Sequence, residues 1–281
     1  MHNLLADLLP DDLDKTVATA IAEDVGSGDI TAQLIPAEKT LDAKIIAKEA
    51  GVLCGVAWAN AVFHQLNESV TLNWLIAEGE DFVPQQTLVE ISGPARAILT
   101  GERSALNFLQ LLSATATHAR SLSSLISHTK AAVLDTRKTL PGLRTAQKYA
   151  VAIGGAQNHR IGLFDAYLIK ENHIAACGGI PEAIEKAREL NPSKPVEIEV
   201  QTEEELELAL GSGADIVMLD NFDLEATAKA VNLTAGRAKL EASGGIEGDK
   251  LVAIAETGVD YISIGALTKN CRAIDLSLLT C

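Results

Sequence analysis

Between about residues 131 and 265 one pattern recurs six times: a short apolar run, a polar residue at its end, then an amphipathic or Ala-rich stretch. The runs are AAVLD (131–135), AYLIK (166–170), VEIEV (196–200), DIVML (215–219), KLEAS (239–243) and DYISI (260–264). Strand-like segments alternating with helix-like ones imply a parallel sheet, because a parallel connection needs a crossover long enough to hold a helix. The rhythm is that of a β/α barrel with six strands instead of the usual eight. An incomplete barrel and an open sheet both satisfy it.

The residues ahead of this region follow another pattern. Asp11 and Asp12 stand as cap candidates before Leu13, Val17, Ile21 and Val25, whose four-residue spacing predicts a helix face. From 41 to 99 short β-rich runs (DAKIIAKE, GVLCGVAW, TLVEISG) alternate with Gly and Pro, which predicts a small strand-rich α+β unit. Ala105, Leu106, Leu109, Leu112 and Ala116 then recur at helical spacing from about 101 to 118, with Glu102 and Arg103 on the first turn. The expected organisation is α/β: an N-terminal α+β domain over 1–104 and, over 105–266, the six β/α units as a six-stranded incomplete β/α barrel or an open sheet. A chain of 281 residues is long enough for two such cores.

The formal charge is −15, which argues against nucleic acid or an anionic membrane as partner, since both select basic surfaces. Locally the sign reverses. From Asp135 to Lys170 six cations (137, 138, 144, 148, 160, 170) face two aspartates (135, 165), a local +4 within a remainder of −19. Such a patch suits a small polyanion. Cys54, Cys177, Cys271 and Cys281 form no C-x-x-C pair, so neither a zinc knuckle nor a disulfide framework is expected. The first residues, MHNLLADLLPDDLDK, carry acids where a signal peptide has cations, and no apolar run reaches the ~18 residues of a membrane span. A cytoplasmic location is the expectation.

In a β/α barrel the C-terminal strand ends converge on one face, so polar residues there share a site although distant in sequence. Here the ends supply Asp135, Thr136, Arg137 and Lys138; then Lys170; Glu199; Asp220; Ser243 with Gly244 and Gly245; and Ser263 with Gly265. The Ser/Gly turns ASGGI and SIGAL offer free backbone N–H groups as an anion nest, or are plain turns. Glu199 and Asp220 end neighbouring strands, and would hold a hydrated Mg²⁺ or balance Lys138 and Lys170 as salt-bridged acids. Arg137, Lys138 and Arg160 would surround the mouth, where a guanidinium fork matches a carboxylate or phosphate. His159 is either an exposed loop histidine or part of that set. Arg144 is assigned to the following helix.

Taken together, DTRKTLPGLR, KYAVAIGGAQNHRIGLFDAYLIKENHI, EIEV, LDNF, EASGGI and DYISIGALT resemble the quinolinate phosphoribosyltransferase family. EDVGSGDIT and GERSALNFLQLLS near the N-terminus extend the resemblance over nearly the whole chain. It implies that the C-terminal tail, about 267–281, returns to the first domain, and that the protein is a homodimer in which Arg103 reaches the neighbouring active site. Thr136, Arg137, Lys138, His159, Arg160 and Lys170 would surround quinolinate. Glu199 and Asp220 would serve the ribose hydroxyls and Mg²⁺ of phosphoribosyl pyrophosphate, with Ser243, Gly244, Gly245, Ser263 and Gly265 at its phosphate. The implied catalytic set is Lys138, Lys170, Glu199 and Asp220, and the implied reaction is phosphoribosyl transfer with decarboxylation in NAD biosynthesis. Some relatives carry His after GALT, where this chain has Lys269.

Two rival readings remain at the level of residues. Lys170 at a strand end is where a Schiff-base lysine of an aldolase would sit. A non-catalytic sensor would bind the sugar pyrophosphate without releasing pyrophosphate.

Overall fold

A computed structural model describes residues 8–246 and 248–281. The chain forms two compact units: one of residues 1–120, 139–155 and 267–281, and a second of residues 121–138 and 156–266.

In the first unit, helix α1 (Leu13–Val25) buries Val17 as the spacing predicts. Asp12 occupies its N-cap position, but the carboxylate accepts from the Thr145 hydroxyl at 2.9 Å instead of from a helix N–H. Strand β1 (Thr40–Ala47), β2 (Gly51–Val52), helix α2 (Val56–Leu66), β3 (Thr71–Trp74), β4 (Asp81–Phe82) and β5 (Thr87–Pro94) follow. A four-stranded sheet runs β12-β1-β5-β3, in which β12 (Leu276–Thr280) pairs antiparallel with β1. The tail therefore completes the first unit's sheet.

Helix α3 spans Ala95–Leu125 and starts directly from β5, so Glu102 and Arg103 lie well inside it and not on its first turn. The expected boundary at 104 falls within this helix, and the units instead divide after Arg120. The reason is packing: Leu106, Phe108, Leu109, Leu112 and Ala116 are core residues of the first unit, together with Trp58, Phe63 and Leu88. Helix α4 (Arg144–Ile153) supplies Ala146, Tyr149, Ala150 and Ile153 to the same core, and Arg144 is its first residue.

The second unit holds β6 (Ala132–Leu134), β7 (Tyr167–Ile169), β8 (Val196–Val200), β9 (Ile216–Asp220), β10 (Lys239–Ser243) and β11 (Tyr261–Ser263). All six recurrences in the sequence are strands. They form one parallel sheet in the order β6-β11-β10-β9-β8-β7. The first two strands in sequence thus stand at opposite ends, as in a β/α barrel opened between them. Helices α5 (Glu171–Cys177), α6 (Ile180–Leu190), α7 (Glu203–Gly211), α8 (Leu224–Thr234) and α9 (Asp249–Glu256) make the crossovers, and α10 (Ala266–Lys269) follows β11. Among the described residues no helix is long and apolar enough to cross a membrane.

The sheet curls. Gln157 pairs with β6 through Asp135 N–H to its carbonyl at 3.1 Å and its own N–H to the Val133 carbonyl at 2.9 Å. Two residues on, the His159 ring lies 2.9 Å from Glu197 of β8. A flat sheet would hold β6 and β8 at least about 19 Å apart at normal strand spacing. Contact across that span needs a barrel-like closure, with the interior between the strands.

Candidate active site

Strand register fixes which side chains face that interior. Glu199 and Glu241 both pair with Met218, Ser243 pairs with Asp220, and Tyr261 pairs with Glu241. Pairing across a parallel ladder keeps residues on one face, and alternation keeps i and i+2 there. Glu197, Glu199, Asp220, Glu241, Ser243 and Ser263 therefore share a face. The opposite face is apolar: Ile198, Val200, Val217, Leu219, Leu240, Ala242 and Ile262 are all at most 3 % exposed. The sequence alternation in VEIEV and KLEAS thus writes a polar interior backed by a dry layer beneath the helices.

At the strand ends the predicted residues gather as follows. Lys170, just after β7, places its ammonium 2.5 Å from the Glu199 carboxylate. Lys170 and Glu199 thus form an ion pair across neighbouring strand ends. Asp220 is half-buried and receives one long contact, from Gln201 Nε2 at 3.5 Å. Lys138 donates its backbone N–H to Thr136 Oγ1 at 3.0 Å and lays its side chain across Gly265, where an added Cβ would come within 2.8 Å of Lys138 Cδ. Gly244 and Gly245 adopt φ of 107° and 57°, and a Cβ on Gly244 would collide with the Asn221 side chain. Asn221 itself has φ 58° and donates its N–H to the Ser243 carbonyl at 3.1 Å, tying the ends of β9 and β10 together. Ser263 is buried at the end of β11.

Arg137 and Arg160 stand close enough to influence each other. Burial and the Arg137 charge both hold the Arg160 pKa below the usual guanidinium value, while Glu197 and Asp165 act the other way. Arg137 Nη1 is buried without a hydrogen-bond partner. Arg160 Nη1 donates to the Ala166 carbonyl at 3.3 Å, and the loop between is closed by Asp165, whose carboxylate accepts from Ile161 N–H at 2.6 Å and Gly162 N–H at 3.1 Å. Burial raises the Asp165 pKa, but these backbone donors outweigh it and the net shift is downward. Two mutually repelling guanidinium groups with an open donor have the charge and geometry to suit a dianion.

His159 is turned inward. Its Nδ1 accepts from the Arg160 N–H at 2.7 Å, which leaves the ring proton on Nε2, facing Glu197 Oε2 at 2.9 Å and Glu241 Oε2 at 3.5 Å. Burial opposes a charge on this ring. The Glu197 hydrogen bond and the charges of both carboxylates favour it and shift the pKa upward, but the Arg160 N–H occupies the Nδ1 lone pair, so the geometry selects the neutral ring with its single proton on Nε2. Glu197 is shifted upward, first by burial and then by the neighbouring Glu241 charge, with His159 opposing. The three ligand-type atoms lie within 4.8 Å of one another.

Sequence reasoning named Asp135 only as a strand-end residue and passed over Glu197, Glu241 and Asn221. Glu197 was legible, because it shares strand phase with Glu199 in VEIEV; Glu241 has the same relation to Ser243. Arg103 is exposed on α3 in the first unit, as is Lys269 on α10.

Hard oxygen donors suit Mg²⁺, which takes one or two carboxylates and keeps the rest of its shell for water and substrate phosphate. Glu199 and Asp220, at the strand ends on one face, meet that description. The His159, Glu197 and Glu241 group does not, since it offers an imidazole nitrogen in a nearly dry setting.

An open β/α barrel whose strand ends carry cations, an oxygen-donor pair and a glycine turn defines a site for phosphorylated, polyanionic substrates. The chain belongs to the quinolinate phosphoribosyltransferase family: its residues 29–113 match the profile described as quinolinate phosphoribosyl transferase, N-terminal domain, and residues 115–279 match that of the C-terminal domain. It is 42 % identical over 257 residues to the probable nicotinate-nucleotide pyrophosphorylase [carboxylating] of Bacillus subtilis strain 168, covering 91 % of this chain and 89 % of that one. It is 37 % identical to the nicotinate-nucleotide pyrophosphorylase [carboxylating] of Mycobacterium leprae, covering 98 % and 99 %. The solved structure of the nicotinate-nucleotide pyrophosphorylase from Francisella tularensis matches with a TM-score of 0.93 at 49 % identity, covering 97 % of both chains.

Proposed function

We propose that this protein transfers the phosphoribosyl group of phosphoribosyl pyrophosphate to the ring nitrogen of quinolinate, with loss of the adjacent carboxylate, to give nicotinate mononucleotide, pyrophosphate and CO₂. The observation that carries the reading is Arg137: a guanidinium with a buried, unpartnered Nη1, beside Arg160, fits an acceptor that brings two carboxylates.

Arg137, Arg160, Lys138, Thr136 and Lys170 bind quinolinate, with His159 behind them. Ser243, Gly244, Gly245, Ser263 and Gly265 receive the phosphate, and Glu199 and Asp220 address the ribose hydroxyls. Glu199 and Asp220 would hold Mg²⁺, which when bound neutralises the pyrophosphate. Both substrates are polyanions, so the cations first lower the cost of bringing them together. The pyridine nitrogen then attacks the anomeric carbon as the bond to pyrophosphate breaks, through an oxocarbenium-like state. Lys138 and Lys170 offset charge on the leaving group. In the product the ring nitrogen is cationic, so when the C2 carboxylate leaves as CO₂ the electron pair left at C2 is stabilised until it takes a proton.

The reading extends to assembly and place: a cytoplasmic homodimer in which Arg103 completes the neighbouring site. Incubation with quinolinate, phosphoribosyl pyrophosphate and Mg²⁺ should yield CO₂ and nicotinate mononucleotide in equal amounts. Product from nicotinate instead of quinolinate, without CO₂, would overturn the substrate assignment.

A further inference from the structure

We propose that Glu197 and Glu241 are positioning residues of the quinolinate pocket: they hold the His159 ring, the ring holds the main chain of Arg160, and the guanidinium is thereby fixed at the site. The inference rests on the functional reading above and deepens it.

Its ground is a chain of contacts in one direction. The side chains of Glu197 and Glu241 are 5 % and 0 % exposed, on two strands that flank β9. Both approach His159 Nε2, and Nδ1 of the same ring accepts the Arg160 N–H. From the other side Asp135, which is fully buried, accepts the His159 N–H and an Asn158 Nδ2 proton, each at 2.8 Å. Residues 158 to 160 are thus gripped from below and from the β6 end before Arg160 turns outward.

Packing alone does not account for the pair. Glu197 Oε1 and both oxygens of Glu241 are buried without a hydrogen-bond partner, so these carboxylates are costly where they stand. Apolar side chains of similar volume would fill two inward positions better. What they would lose is the acceptor for Nε2–H, one of the contacts that set the ring's rotation. A ring released at Nε2 presents Nδ1 less firmly to the Arg160 N–H.

The test separates positioning from packing by comparing Michaelis constants. In Glu197→Ala the quinolinate KM should rise roughly tenfold, the worth of one charge-assisted hydrogen bond, while the phosphoribosyl pyrophosphate KM stays within about twofold. Glu197→Gln, whose amide oxygen still accepts from Nε2–H, should recover most of the loss. Glu241→Gln, at the longer contact, should shift the quinolinate KM by no more than a few-fold. If Glu197→Ala does not fold, Glu197→Leu replaces it, keeping apolar volume without an acceptor. Parental KM values for both substrates, or equal rises in both, would overturn the inference. Failure of the functional reading looks different, because the parent protein itself would then turn over no quinolinate.

Discussion

Glu78 in the first unit and the Glu197–Glu241 pair in the second are carboxylates withdrawn from water, and they differ in what meets them. Glu78 lies over the start of α2, where Oε1 accepts from Gly55 N–H at 2.9 Å and Oε2 from Val56 N–H at 3.0 Å. The Cys54 thiol and the Tyr149 hydroxyl complete its shell, and the Tyr149 ring packs on Trp58 at 5.1 Å between centroids. This cluster is closed: each oxygen has a donor, and the donors are helix N–H groups that would otherwise be orphaned. The second unit leaves oxygens of Glu197 and Glu241, and Arg137 Nη1, without hydrogen-bond partners. Among the described residues, all charged side chains with a buried unpartnered atom lie in that unit. A satisfied buried charge stabilises its surroundings, whereas an open one is held there by the rest of the fold for use on a ligand.

The widest separation between the two kinds of group should come from Arg137. Arg137→Ala removes the open donor, and kcat/KM for quinolinate should fall by at least about 100-fold, as expected for loss of a charge-assisted contact to a substrate carboxylate. Stability should hold near the parental value, because the variant also relieves the repulsion of Arg160. Steady-state kinetics and urea unfolding on the same preparation check both halves. Near-normal quinolinate turnover would contradict the assignment of Arg137.

Glu78→Ala should behave in the opposite way. It strips the acceptor from two helix N–H groups and from Tyr149, which should cost about 2 kcal/mol of unfolding free energy. The KM values of the folded variant should stay parental. A rise in the quinolinate KM without loss of stability would erase the distinction between closed and open sites.

Much of this contrast was written in the sequence, and some was not. The six strands were legible because each apolar run ends in a polar residue within a β/α rhythm, and Arg137, Lys138, Lys170, Glu199 and Asp220 followed from strand-end position alone. Glu197 and Glu241 were hidden by the habit of reading a mid-strand residue as structural, although both sit in phase with a strand-end residue. The grouping of 139–155 with the first unit was invisible for a different reason: an Ala-rich crossover helix carries no sign of which core it joins, and only Tyr149 and Ile153 packing with the first unit's residues reveals it. The extent of α3 was misjudged because β5 runs into the helix with no capping residue to mark its start.

The smallest effect concerns pH, and it tests whether the closed cluster is closed electrostatically as well as geometrically. Burial raises the Glu78 pKa above its ordinary 4.5, and the donors from Gly55, Val56, Cys54 and Tyr149 only partly counter it. Burial, followed by the Glu78 charge, likewise raises Cys54 and Tyr149, so both neighbours stay neutral donors through the acid and neutral range. Between the ordinary and the raised value the folded protein keeps a proton that the unfolded chain releases, so stability falls as pH rises through that window and is then flat. Glu78→Gln keeps an acceptor and carries no charge, so it lacks this loss. The parent should therefore gain ground on the variant as pH is lowered from 7 toward 4.5, read as the difference between two urea-unfolding series. A difference that runs the other way would mean that the helix N–H groups dominate burial at Glu78, and that the carboxylate is held charged.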